Sequence, residues 1–273
     1  MRVLRNTRST LRLPVVGTPT AATVTITSAR SGAIATGASA TIAPNLLTYT
    51  LAPMANVDRL SVAWSVTLGG VAQIFYSTVE IVGAEVVSLD EIRRLKPFED
   101  AARFPDHLLA EARDQILDSL EDAAGVFFAP TYFEARTNGS GSTDLFLPVA
   151  RPRAINSVSV SGTEMDATAL SALLFTENGI LVHGSGKWTS GRLNVVVKGE
   201  AGHLVPPARV GRAVALGVRR TLVETGVSDR ATSITNSDGT SENLITSGVR
   251  GNLFDIPEMN AILQTYTMKF GVA

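Results

Sequence analysis

The 273-residue sequence contains no cysteine, so disulfides, thiol chemistry and cysteine-based zinc sites are excluded. Its three histidines, His107, His183 and His203, do not stand at a spacing typical of metal ligands. No run of about 18 apolar residues occurs, which argues against a membrane-spanning segment. The N-terminus also lacks the continuous apolar core of a signal peptide. We therefore expect a soluble protein of a cytosol-like compartment, with no membrane partner.

Motifs for catalysis are also lacking. No serine lies in a G-x-S-x-G elbow. The segment Gly184–Trp188 is superficially like a phosphate loop, but Leu181 stands where that motif needs glycine, and Trp188 where it needs a hydroxyl. The sequence therefore predicts no enzyme: no catalytic residues, no cofactor-binding residues, no cofactor and no metal. A hydrolase that uses Asp and His from different loops remains the weakest of the alternatives.

Charge is balanced overall but unevenly distributed. The chain has 24 basic and 25 acidic residues. Residues 1–84 carry six arginines and two acidic residues, whereas residues 85–122 carry eleven acidic and five basic residues. Arg2, Arg5, Arg8 and Arg12 predict a basic N-terminal arm, which either contacts nucleic acid or an acidic partner, or is a solvated, partly frayed terminus.

The first third of the chain has the period-two alternation of β-strands. Alternation is clean over Ala22–Thr27 and Leu47–Leu51, and Leu60–Thr67 places Trp64 on an apolar face. Gly69-Gly70 is typical of a hairpin turn. About six short strands are expected to form an antiparallel β-sandwich with Trp64 in its core. The strand order resembles the immunoglobulin-like modules that are appended to phage structural proteins and that bind or decorate.

Two amphipathic helices are predicted after a linker at residues 85–88. Ser88 to Glu91 fits a capping box that opens a short helix. The longer helix runs from Asp106 to Ala124 and is ended by Gly125. Its expected apolar stripe is Leu108 or Leu109, Ala112, Ile116, Leu120 and Ala123. Its opposite face carries Glu111, Asp114, Asp118, Glu121 and Asp122. This acidic face is either simply solvated or, in several copies, lines a lumen through which a polyanion slides without sticking.

A buried helix is predicted from Leu204 to Gly226, after a β-rich segment at about 126–202. Pro206 and Pro207 suit a helix start. Val210, Val214, Val218 and Leu222 form its apolar stripe. Gly211 and Gly217 each cost about 1 kcal/mol of helix stability relative to alanine, which indicates that another backbone comes close. The last helix is expected to begin with a capping arrangement at Asp255–Glu258.

The fold class is therefore α+β. An N-terminal antiparallel β-sandwich, residues 1–85, is followed by a helical domain, residues 86–273, with a small β-sheet inserted at about 126–202.

Residues from about 86 to the end resemble the head–tail connector (adaptor) proteins of tailed bacteriophages. The likeness lies in the order of seven segments: Ala124–Phe128, Leu145–Pro148, Arg151–Gly162, Asn178–Ile180, Val195–Gly202, Val205–Ala208 and Phe254–Leu263. The first 85 residues fall outside this resemblance and look like an added module.

The resemblance implies a homo-oligomeric ring, typically of twelve copies, under the portal of a virion. The phage genome would pass through its channel without sequence-specific contact, and the chain would be made in the bacterial host cytoplasm. The acidic face of the longer helix is the candidate channel lining. Loop 231–251 would contact a ring neighbour or the next neck (tail-completion) protein. The candidate portal-docking residues are Phe254, Ile256, Pro257, Met259, Ile262, Leu263 and Tyr266. The alternative is a stand-alone binding or decoration protein that recognises a surface through its β-module.

Overall fold

The computed structural model describes residues 1–184, 186–223, 254 and 256–267, together with the backbone of strands at 233–235 and 241–243. By internal contacts the chain divides into two compact units: unit 1 is Met1–Ala84 with Ala129–Leu204, and unit 2 is Glu85–Phe128 with Val205–Ala273. The presence of both sheets and helices confirms the predicted α+β class. The predicted domains, 1–85 and 86–273, group the β-rich segment with the helices instead, and they stay a prediction.

The elements in chain order are β1 (Arg2–Leu4), β2 (Ser9–Pro14), β3 (Pro19–Ser28), β4 (Gly32–Ser39), β5 (Thr41–Ala43), β6 (Leu46–Leu51), β7 (Asp58–Leu68), β8 (Val71–Val82), α1 (Leu89–Arg93), α2 (Asp106–Ala124), β9 (Thr131–Gly139), β10 (Asp144–Phe146), β11 (Pro152–Val160), β12 (Thr163–Glu164), α3 (Ala167–Ser171), β13 (Leu174–Phe175), β14 (Ile180–Val182), β15 (Gly191–Ala201), α4 (Ala208–Leu222), β16 (Ser233–Thr235), β17 (Ser241–Asn243) and α5 (Pro257–Tyr266).

Strands β1 to β8 form a two-sheet sandwich in unit 1. One sheet has the order β1-β8-β7-β3-β4 and the other β2-β6-β5. All neighbours are antiparallel except β1 and β8. The inward side chains of both sheets form one apolar core, in which Trp64 is 1% exposed, so its predicted core position is confirmed. Gly69 and Gly70 have φ of 57° and 83° and join β7 to β8, as the hairpin signal predicted. The immunoglobulin-like type of the sandwich stays a prediction.

The segment that was expected to form a basic N-terminal arm instead contains strands β1 and β2 of this sandwich. Val3 in β1 is 5% exposed, and β1 runs parallel to residues 80–82 of β8. The guanidinium of Arg2 lies 3.8 Å from the carboxylate of Glu80. Arg8 and Arg12 remain exposed. The arginines therefore lie on a folded surface, because the intervening apolar residues anchor the chain to the sheets.

The β-rich segment of unit 1 forms two smaller sheets. One has the order β12-β11-β15-β9 and the other β10-β14-β13. Trp188 is 1% exposed, and its Nε1 donates to the carbonyl oxygen of Thr143 at 2.9 Å. The segment that is superficially like a phosphate loop therefore ends in a core residue. The short helix α3, capped by Asp166, was not predicted from the sequence.

Helices α1, α2, α4 and α5 belong to unit 2. The predicted capping box at Ser88 is confirmed: its hydroxyl accepts from the N–H of Glu91, whose carboxylate accepts from the N–H of Ser88. Helix α2 ends as expected at Gly125, which has φ of 67°. Helix α5 begins at Pro257 with Ile256 as its N-cap, and the capping arrangement expected at Asp255–Glu258 stays a prediction. Asp255 and Gly226 lie outside the described residues.

Close approach to α4 explains its glycines. A Cβ added to Gly211 would lie 2.6 Å from the carbonyl oxygen of Val86, so the backbone before α1 occupies that space. A Cβ on Gly217 would lie 2.8 Å from Cγ2 of Ile116 in α2. Val210, Val214 and Val218 are fully buried, as predicted. Both glycines lower the intrinsic stability of the helix, but they allow α4 to pack closely inside unit 2.

Candidate interaction surfaces

An acidic stripe runs along the exposed face of α2. Glu111, Asp118 and Asp122 are exposed, and Gln115 lies between them on the same face. Their spacing of i, i+4, i+7 and i+11 aligns them along the helix. At 1.5 Å per residue this acidic stripe is about 16 Å long. It is the part of the predicted channel lining that the protomer leaves accessible.

Asp114 and Glu121, the other two predicted lining residues, are buried in unit 2, at 5% and 4% exposure. Oδ1 of Asp114 lies 3.0 Å from Nη2 of Arg113, whose Nη1 donates to the carbonyl oxygen of Val87 at 3.4 Å. Oε1 of Glu121 accepts from the backbone N–H of Phe128 at 2.6 Å. Both carboxylates therefore stabilise the fold, because each satisfies a buried donor. Their placement on the accessible face was wrong.

The predicted apolar stripe of α2 is also shifted. Leu109, Ala112 and Leu120 are buried as expected, whereas Leu117 and Ala124 replace Ile116 and Ala123 as the buried apolar residues of the last turns. This rotation of the buried face brings Asp114 and Glu121 inward.

The predicted portal-docking residues separate into two groups. Met259 and Ile262 are 1% and 2% exposed, so they belong to the core of unit 2. Tyr266 stacks edge-on against Phe128, with ring centroids 5.4 Å apart. Nη2 of Arg209 donates to the Tyr266 hydroxyl at 3.0 Å. The helix therefore uses much of its predicted docking face to pack against its own unit.

The second group remains accessible. Pro257 is exposed, and Phe254, Ile256 and Leu263 are half-buried. Oδ1 of Asn260 accepts from the N–H of Phe254 at 3.1 Å, and its Nδ2 donates to the Phe254 carbonyl at 2.7 Å. This amide fixes Phe254 to the start of α5. Phe254, Ile256 and Pro257 form a small apolar rim at that end of the helix, whereas Leu263 lies in its last turn.

The loop predicted to contact a neighbour, 231–251, lies mostly outside the described residues. Within it, strands β16 and β17 pair antiparallel. The expected hairpin tip at Asp238-Gly239 lies outside the described residues.

Titratable groups elsewhere are scattered. Burial, followed by the charge of Arg151, lowers the pKa of His203. Burial raises the pKa of Tyr132 to about 12, with Glu134 and Asp58 acting in the same direction.

Within the ranges that the structure describes, no group of three or more His, Asp or Glu side chains could hold a metal ion. Among the described helices, none has the length and apolarity needed to cross a bilayer.

Two exposed apolar surfaces were not singled out from the sequence. On β8, Ile74 is 58% and Tyr76 is 75% exposed. On the sheet β10-β14-β13, Phe146 and Leu174 are each 66% exposed. The sequence did contain a signal for the exposed surface on β8. Val71–Val82 has apolar residues on both faces of the strand, whereas a strand with only one buried face usually has polar residues on the other.

No family model matches the sequence, and no curated protein matches it. Among solved structures, the chain is similar to a chain in the "Neck of empty GTA particle computed with C6 symmetry". The TM-score is 0.44 at 12% sequence identity, and the match covers 70% of this chain and 96% of that chain.

Proposed function

We propose that the protein is a structural virion protein, a head-to-tail adaptor that forms a ring under the portal through which the phage genome passes. The observation that supports this proposal is the discontinuous helical unit. Helices α1 and α2 pack with α4 and α5, although residues 129–204 stand between them in the chain. A helical body interrupted by a β-rich segment is the arrangement predicted for the part of the sequence that resembles connector proteins.

The acidic stripe of α2 is the proposed channel lining. Glu111, Asp118 and Asp122 would recur in every copy of the ring and present a negative surface to DNA. Repulsion between this surface and the phosphates would keep the genome from adhering while it moves. Asp114 and Glu121 have no part in this role, since they are buried in each protomer.

The rim of α5 is the proposed portal contact. Phe254, Ile256, Pro257 and Leu263 are the accessible members of the predicted docking set. Deleting 254–273 would be a poor test, because Met259 and Ile262 belong to the core of unit 2. Point variants at the rim separate docking from stability.

Charge reversal tests the channel assignment. The variant Glu111→Lys/Asp122→Lys would be supplied to a phage that lacks its own copy of the gene. We expect particles to assemble but the infectious titre to fall by about tenfold or more, because the lining would hold the DNA. Glu99→Lys and Asp90→Lys, which reverse exposed acidic residues outside the stripe, together form the matched control. A normal titre for the stripe variant would remove the assignment.

A rim variant tests the docking assignment. Ile256→Asp/Pro257→Asp should lose co-sedimentation with the portal protein of the same phage, whereas Ala261→Asp, on an exposed position of the same helix, should retain it. Thermal unfolding of both variants would check that unit 2 remains folded. Undiminished portal binding by the rim variant would contradict the docking proposal.

The alternative, a binding or decoration protein, is favoured by one observation: the sandwich exposes Ile74 and Tyr76 side by side on one strand. Light scattering with and without portal separates the two functions. A chain that forms rings with portal supports the adaptor. A chain that stays monomeric and ignores portal favours the decoration protein.

A further inference from the structure

The outer edge of β8 is only partly covered. Strand β1 pairs with residues 80–82, and the N-terminal amine donates to the carbonyl of Thr78 at 3.5 Å. Residues 71–78 pair with β7 on their inner side. On their outer side, no strand of the described chain pairs with them. We call residues 71–78 the β8 edge.

The direction of the backbone groups at this edge follows from one hydrogen bond. The N–H of Glu80 donates outward, to the carbonyl of Met1 at 3.0 Å. Along a strand, the N–H and C=O of one residue point to the same side, and the side alternates with each residue. The N–H and C=O groups of Ala72, Ile74 and Tyr76 therefore point to the open side. The exposed side chains of Ile74 and Tyr76 lie on one face of the same strand.

Natural edge strands are protected by charges, prolines or bulges, because an open edge recruits other strands. The β8 edge, with the sequence VAQIFYST, contains no charged residue and no proline. Its pairing with β7 has no register shift. By contrast β4, at the other end of the same sheet, has two register shifts against β3. The protein therefore disrupts one edge of this sheet and leaves the other regular.

We propose that the β8 edge pairs antiparallel with the β8 edge of a second copy of this chain. With Ile74 of one copy opposite Tyr76 of the other, the two residues exchange both backbone hydrogen bonds. Their side chains then form two aromatic–aliphatic cross-strand pairs, which bury the exposed apolar surface. An uncharged edge suits an identical partner, since a two-fold axis brings like residues together and like charges would repel.

This pairing is distinct from the contacts of the proposed ring. A two-fold axis relates the copies through the same surface, whereas neighbours in a ring are related by rotation and use two different surfaces. The pairing therefore joins copies that are not neighbours in one ring. It does not depend on the adaptor function.

Sedimentation velocity of the purified full chain tests the pairing. At about 100 µM we expect dimers in the wild type and an at least tenfold weaker dimer in Ile74→Lys, because the two-fold axis brings the new charges together. Ile34→Lys on β4 is the matched control, since Ile34 is 41% exposed and lies at the opposite edge of the sheet. A monomeric wild type, or a dimer lost in Ile34→Lys but retained in Ile74→Lys, overturns the proposal.

Amide exchange gives a second readout that needs no substitution. In the wild type, the amides of Ile74 and Tyr76 should become protected as concentration rises, whereas that of Phe75, which points to β7, should be protected throughout. Equal exchange of Ile74 and Tyr76 at low and high concentration would contradict the proposal. Ring formation with portal is a separate measurement, so failure of the pairing and failure of the adaptor function are distinguishable.

Discussion

The sandwich of unit 1 and the helices of unit 2 differ in the kinds of side chain that they bury. The sandwich core is apolar, and its buried polar residues, Ser28 and Asp58, hydrogen-bond to each other at a turn. Helix α2 instead buries Arg113, Asp114 and Glu121. Buried charges add little net stability over apolar packing but are costly to break once formed. The comparison shows that apolar alternation describes the first region, whereas the buried charges of the second depend on hydrogen-bond and ion-pair partners that such a pattern does not reveal.

The largest expected loss of stability is in the apolar core of the sandwich. Trp64→Ala should cost about 3–5 kcal/mol of unfolding free energy, since it leaves a large cavity in the sandwich. Fluorescence of Trp188, which is also buried in unit 1, would follow the unfolding of that unit. Phe146→Ala, at a 66% exposed aromatic of the same unit, should change stability by less than about 0.5 kcal/mol. Equal losses for the two variants would contradict the core assignment.

On the polar side, Glu121→Ala should cost about 1–3 kcal/mol, because the buried N–H of Phe128 loses its acceptor. Asp122→Ala removes the neighbouring, exposed carboxylate and should be nearly neutral. Far-UV circular dichroism during denaturant unfolding would measure the helical unit. If Asp122→Ala lost more stability than Glu121→Ala, the assignment of Glu121 as the acceptor for the buried N–H of Phe128 would be wrong.

The glycines of α4 sharpen the comparison within unit 2. Gly211→Ala should destabilise by about 1–3 kcal/mol, because the new methyl group meets the carbonyl of Val86, which is backbone. Gly217→Ala meets the side chain of Ile116, which can shift, so its loss should be smaller. Chemical denaturation of both variants gives the ranking. A gain in stability for Gly211→Ala, as helix propensity alone predicts, would exclude the close approach.

The smallest expected effect is at the start of α1, where Ser88→Ala should cost about 1 kcal/mol. Hydrogen bonds from the backbone and side chain of Ser88 lower the pKa of the Glu91 carboxyl below its ordinary 4.5. Glu91 therefore contributes stability that is fully present above pH 4.5 and is lost as the pH falls through its lower folded pKa. The stability difference between wild type and Glu91→Gln should accordingly vanish in acid. A difference independent of pH would contradict this account.

Local patterns in the sequence were sufficient to predict much of the fold. Period-two alternation predicted β3, β6 and β7, because each has one face in the same core, and the Gly69-Gly70 hairpin signal predicted that a strand returns after β7. A capping box predicted the start of α1 and a glycine predicted the end of α2, since those signals lie within a few residues of the helix ends. The candidate surfaces were predicted less well. Asp114 and Glu121 were placed outside because charge was equated with exposure, whereas the backbone N–H of Phe128 and the guanidinium of Arg113 allow their burial.

The discontinuity of the helical unit has a consequence for the nascent chain. Helix α2 leaves the ribosome about one hundred residues before α4 is complete, a delay of roughly 5–20 s at ordinary elongation rates. During that interval α4, against which α2 packs in the folded unit, has not yet been made. The growing polypeptide therefore carries an uncovered apolar helix while the β-rich segment is being made. We therefore expect the apolar face of this helix to be most exposed in the middle of translation rather than at its end.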